Sequence, residues 1–173
     1  MTALAIFLAL FLAGQEAPPH PRITRAALAG VEKSIDGRLA HANTPDSFDL
    51  LGPTRGVYLE GYGVVFSTEV NLIVSPNLSP FHQSFTPVEV TRIRARKQRQ
   101  VPVLKQNMRE MLIASAAALE NLPPNEQVVL AVTLFHYSWE DVSGIPSQIV
   151  MQAERQKLLS NAARESAIRT QEF

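Results

Sequence analysis

Cysteine is absent from all 173 residues. That removes disulfide bridges, thiolate metal sites and a cysteine nucleophile at once. Charge is also scarce: Asp, Glu, Lys and Arg make up 18% of the chain, against about 25% in an ordinary soluble domain. The two signs balance at 16 residues each, so no net field exists to gather a nucleic acid or another polyanion. Aromatic residues amount to 7% and form no stacking platform beside the basic ones. No nucleic-acid partner is expected.

Long hydrophobic runs are missing too. The longest, Ala3 to Ala13 (ALAIFLALFLA), has about eleven residues, which suits the apolar core of a secretion signal and falls short of a membrane span. Leu12-Ala13-Gly14 supplies small residues before Gln15, where a signal peptidase could cut, and Gln15 stands where a lipid-anchor signal needs cysteine. Met1-Thr2 lacks the usual basic residue, so either the amine alone suffices or the start lies upstream. The expected organisation is a signal peptide over 1–14, a linker over 15–21 (QEAPPHP) and a single α+β domain over 22–173. The mature chain is then exported, periplasmic or extracellular, with no transmembrane span. An exported chain without cysteine points to a bacterial source.

What is present reads as alternating helix and strand. Ile23, Ala27, Leu28, Val31, Ile35 and Leu39 recur at helical spacing before the turn cluster Thr44-Pro45-Asp46-Ser47. Gly56 to Val74 is rich in β-branched and aromatic residues, with Gly61 and Gly63 marking a tight turn or bulge. It predicts a hairpin of strands 57–60 and 64–74. Thr86-Pro87-Val88-Glu89 is a capping box with proline at the first helical position. Pro102 should kink or end the helix that starts there, and Leu104, Met108, Met111, Leu112, Ser115, Leu119 and Leu122 then give a second apolar stripe, stopped by Pro123-Pro124. Glu126 to Tyr137 predicts a central strand, residues 147–151 a short one, and 153–167 a last helix. The expected fold is α+β: an antiparallel sheet of about four strands in two hairpins, covered by helices, in the order α-β-β-α-α-β-β-α.

Chemistry is harder to find. Gly61-Tyr62-Gly63 lacks the third glycine and following helix of a dinucleotide fingerprint, so no cofactor is expected. His20, His41, His82 and His136 lie far apart without metal-ligand spacing, so no metal is expected either. No G-x-S-x-G elbow occurs.

The most distinctive feature is a charge asymmetry. Asp36, Asp46, Asp49, Glu60, Glu69 and Glu89 outnumber Arg38 and Arg55 in one stretch, whereas Arg92, Arg94, Arg96, Lys97, Arg99, Lys105 and Arg109 follow with no acid between them. Arg92, Arg96 and Arg99 would share a helix face, with Arg94 and Lys97 beside them. Such a stripe could meet an acidic protein or an anionic envelope surface; a solvated face is the plainer reading. These features favour a non-catalytic exported binding module using the basic helix surface. One rival is a small hydrolase-like enzyme with Glu60, Tyr62, His136 and Glu140 at the sheet end. The other is a structural component of an envelope assembly, marked by an apolar patch on the sheet face left bare by helices.

Overall fold

The computed structural model describes residues 23–42, 47–74, 84–160 and 164–173. The expected signal over 1–14, the linker over 15–21, His20, His82 and the turn 44–46 lie outside the described residues. Along the chain come α1 (Arg25–Ala40), β1 (Asp49–Leu50), β2 (Arg55–Leu59), β3 (Gly63–Asn71), α2 (Pro87–Ala118), β4 (Gln127–Leu134), β5 (Gln148–Glu154), α3 (Arg155–Leu159), α4 (Arg164–Ala167) and β6 (Arg169–Glu172). The fold is α+β, with a mixed six-stranded sheet.

Local signals set the element ends. Thr24 caps α1 by accepting from the Ala27 N–H at 3.1 Å. At the start of α2 the Glu89 N–H donates to Thr86 Oγ1 at 3.3 Å, and the Thr86 N–H donates to Glu89 Oε2 at 2.8 Å. The box read from the sequence is formed, and it satisfies donors that a helix start otherwise leaves unpaired.

Pro102 does not end that helix. A single helix of 32 residues runs through it. The proline is exposed, so the carbonyl it leaves without a donor belongs to the solvent side. Val101 just before it and Leu104, Met108 and Met111 after it hold the other side in the core. The correction changes the sheet. A single crossing helix carries the chain back to the end where β3 began, so β4 must run parallel to β3, from Gly63↔Gln127 to Val70↔Leu134. A purely antiparallel sheet of two hairpins is therefore not formed. The antiparallel pairs are β1 and β2 with β3, β5 with β4, and β6 with β5. The strand expected over 147–151 extends to Glu154, and the helix expected over 153–167 shrinks to α3 and α4, followed by an unforeseen β6.

Alternation divides the sheet into two faces. Val64, Phe66 and Val70 of β3, Val128, Leu130 and Val132 of β4, and Ile149, Met151 and Ala153 of β5 point into the core with the buried stripes of α1 and α2. Residues between them point the other way, where neither α1 nor α2 reaches.

The β2 edge is sealed by side chains of α1. Glu32 Oε1 accepts the Gly56 N–H at 2.7 Å, and Asp36 Oδ1 accepts the Thr54 N–H at 2.9 Å. Arg25 holds the Glu32 carboxylate with Nη1 and Nη2, both at 2.6 Å. A side chain at position 56 would place its Cβ 2.6 Å from the Phe66 ring, so glycine allows this close approach. Arg25 first, and then the Gly56 N–H, hold the Glu32 carboxyl below its ordinary 4.5. A lowered folded value means that Glu32 contributes stability above about that pH, and that the contribution is lost as pH falls through the folded value. Glu32→Ala is expected to cost about 1–3 kcal/mol in urea unfolding at pH 7 by stranding the Gly56 N–H. The deficit against wild type should narrow in acid; a deficit independent of pH would contradict the assignment.

Candidate functional site

The basic segment of α2 divides by burial. Arg92 and Arg99 are exposed and Arg96 is half-buried. Arg94 and Lys97 are turned onto the loop 135–147. Arg94 Nη1 donates to Asp141 Oδ2 at 2.5 Å, and Gln98 Nε2 donates to the Ser143 carbonyl at 3.0 Å. The Lys97 ammonium pairs with Glu140 Oε2 and also donates to the Phe135 carbonyl at 3.3 Å. The side chains of Lys97 and Glu140 are 2% and 1% exposed. Burial pushes the Lys97 ammonium below its ordinary 10.5, with Glu140 acting in the opposite direction. Hydrogen bonds from Ser143 hold the Asp141 carboxyl below its usual value, with Arg94 adding to the effect. Beside this clamp stands an aromatic column: Phe85 stacks on Trp139 at 3.9 Å between centroids, Trp139 on Tyr137 at 5.8 Å, and Tyr137 meets Phe135 edge-on at 5.0 Å. These contacts fasten the loop to α2.

The residues of the hydrolase-like constellation are not brought together. Glu60 and Tyr62 lie in the turn between β2 and β3, at the end where β4 begins. His136 and Glu140 follow the far end of β4, about 25 Å away at the usual strand rise. Exposed His136 lines a cavity of ≈ 30 Å³ with Lys97, Leu72 and Ile145. A water needs about 10–15 Å³, so the space admits a water or two and no organic substrate. Between α1 and α2 a second cavity measures ≈ 40 Å³. His41 is spent on its own helix end, with Nδ1 2.9 Å from the Gly37 carbonyl. Among the described residues no group of His, Asp and Glu is arranged to hold a metal ion.

Among the described residues, the larger concavities lie on the sheet face away from α1 and α2. One groove of ≈ 360 Å³ is lined by Leu51, Arg55, Ser67, Glu69 and Thr133. Another of ≈ 310 Å³ is lined by Tyr62, Gln127, Gln152, Glu154, Lys157 and Arg169. The register places Val57, Val65 and Val129 in one row across β2, β3 and β4, with Ala131 and Val150 in the next row. This apolar strip separates the two grooves. Val57 is 50% exposed and Leu59 46%. The Tyr62 hydroxyl donates to Gln152 Oε1 at 3.4 Å, and Val129, the residue paired with Gln152 on β4, is buried. No protein-family model, curated protein or solved structure matches the chain. The surface itself must carry the functional reading.

One buried group escaped the sequence reading. Glu126 Oε1 accepts from the Tyr58 hydroxyl and from the Gly61 N–H, both at 3.3 Å, while its Oε2 is buried with no partner among the described residues. Burial raises the Tyr58 phenol, and the Glu126 charge adds to the rise. The carboxylate ties the β2–β3 turn to the start of β4, and the neighbours Tyr62 and Gln127 line the ≈ 310 Å³ groove. Its signal was a lone acid at the mouth of an apolar strand. Among the described residues, no helix is long and apolar enough to cross a membrane.

Proposed function

We propose that this chain is a non-catalytic, exported binding module that engages a protein partner through the open face of its sheet. The observation that carries this reading is the placement of concave space. Among the described residues, the two grooves of more than 300 Å³ flank the apolar strip of that face, whereas the two cavities on the helix side hold water at most. An apolar centre within a polar, mixed-charge rim is the anatomy of a protein interface. Here Val65, Ala131 and Val150 form the centre, and Arg55, Glu69, Glu154 and Arg169 the rim. The strands, the longest of nine residues and β6 of four, rise about 3.3 Å per residue and lie about 4.8 Å apart, which gives a face of roughly 550 Å². That approaches the roughly 800 Å² each partner contributes to a stable interface. The basic helix is the second reading, favoured by the exposure of Arg92 and Arg99.

Photo-cross-linking in the native host separates the two. A photoreactive residue at Ala131 or at Val150 should give the same discrete adduct, and one at Arg92 or Arg99 should give none. Val65→Glu should weaken that adduct about thirtyfold by placing a charge in the apolar centre, with the unfolding midpoint little changed. Adducts from the helix positions alone would transfer the function to the basic stripe.

A further inference from the structure

The two edges of the sheet are treated differently. On the β2 edge, the outward N–H groups of Thr54 and Gly56 are taken by Asp36 and Glu32 of α1. At the other edge lies β6, whose residues are all exposed. Its pairing with β5 follows Ile149↔Glu172 to Gln152↔Arg169, and the Phe173 N–H donates to the Gln148 carbonyl at 3.0 Å. In an antiparallel ladder the inward-bonded residues alternate with outward-facing ones. Phe173, Gln171 and Arg169 therefore bond inward, and the N–H and C=O of Thr170 and Glu172 face out.

We infer that β6 pairs antiparallel with β6 of a second copy, about a two-fold axis through Gln171. This register uses every outward-facing group. The Thr170 N–H and C=O meet those of the partner's Glu172, and the Glu172 groups meet those of the partner's Thr170. A register centred on Thr170 sets Glu172 opposite Ile168, which lies outside β6. Side chains agree with the choice. On the open face Arg169 lies across from the partner's Phe173, a cation against a ring that is 64% exposed in the single chain. The two Gln171 amides meet at the axis. On the helix face each Glu172 is already neutralised by Lys105 of α2 at 2.5 Å, so the two carboxylates approach without unpaired like charge. The result is one continuous sheet with the two open faces side by side. This pairing stands independently of the partner surface proposed above, because it uses the edge and not the face.

The absence of cysteine supplies a clean test. Gln171→Cys in the full chain should form a disulfide-linked dimer under mild oxidation, since the paired Cβ atoms at the axis would lie about 4.5–5.5 Å apart. Val57→Cys on the far edge should stay monomeric. Sedimentation equilibrium of the unmodified chain should give twice the chain mass at micromolar concentration. Thr170→Pro removes an outward N–H from each copy without touching the β5 ladder, and should weaken the dimer at least about tenfold with the thermal midpoint retained. A monomer at all concentrations overturns the inference. So does a dimer that survives Thr170→Pro while Gln171→Cys fails to cross-link, or equal cross-linking through Val57→Cys.

Discussion

Lys97→Met is expected to destabilise the protein by about 3–5 kcal/mol, read as a lower urea midpoint with an unchanged slope. The Lys97 ammonium and the Glu140 carboxylate are almost fully enclosed, and Glu140 Oε1 is buried with no partner among the described residues. Removing the lysine leaves a buried carboxylate whose remaining oxygen also loses its donor. Against a typical total of about 5–15 kcal/mol, that is a large share. The double replacement Lys97→Met with Glu140→Leu should behave differently. It removes both charges and fills the site with apolar atoms, so its stability should lie within about 1 kcal/mol of wild type or above it.

The sign of the pH effect follows from the same geometry. Burial holds the Lys97 ammonium below its ordinary 10.5. The folded state therefore binds that proton less tightly than the unfolded chain, and stability rises with pH between the folded value and 10.5. Wild type should carry this upward slope, and the double variant should not. If the single and double replacements cost the same, the pair is not an energetic unit, and the loop 135–147 is held by Arg94 and the aromatic column instead.

How far the molecule could be read from its residues depends on the range of the forces involved. The capping box at Thr86 and Glu89 was legible because every atom in it lies within three residues. The β2–β3 hairpin was legible because its two strands are adjacent in the sequence around Gly61 and Gly63. Pro102 was misread because a local rule was applied where tertiary packing decides. That one reading then inverted the direction of β4, since two antiparallel helices and a single crossing helix deliver the chain to opposite ends of a sheet. It also misplaced the hydrolase-like constellation: with β4 parallel to β3, Glu60 and His136 sit at opposite ends.

Lys97 was misread by chemical class. Its position, four residues after Ile93 and four before Val101, puts it on the buried stripe, and periodicity alone would have found it. β6 could not be found that way. Arg169-Thr170-Gln171-Glu172 has neither alternation nor apolar content, and it becomes a strand only because β5 offers an edge. The inward and outward rows of β3 were visible as alternation, whereas 126–137 reads as apolar on both faces, and no sequence pattern announces that a face goes uncovered. That depends on where both helices finish packing.

Gly63→Ala should be the most damaging small substitution in the chain, costing about 3 kcal/mol or more. Gly63 has φ 139°, outside the range that side chains favour. A Cβ there would lie 2.0 Å from the Gln127 carbonyl oxygen and 2.6 Å from the Gln127 nitrogen, both backbone atoms of the neighbouring strand. Neither can yield without unzipping the first pair of the parallel ladder. Gly61, two residues earlier in the same turn, is a built-in control. Its φ of 77° is one that asparagine accepts, and nothing lies within 4 Å of an added Cβ. Gly61→Asn should therefore cost less than about 1 kcal/mol. The damage at Gly63 should be local before it is global, because this end of the sheet also carries the Glu126 anchor and the Tyr62 bridge to Gln152. Hydrogen exchange should quicken at Val64, Val65 and Val128 well before Ile149 and Met151 respond. Cross-linking through Val150 should then fall with the loss of the groove wall, even under conditions where the helices remain intact. A Gly63→Ala protein with wild-type exchange at Val65 would mean that β3 and β4 do not meet at Gly63 and Gln127, and the open face built on that register would go with it.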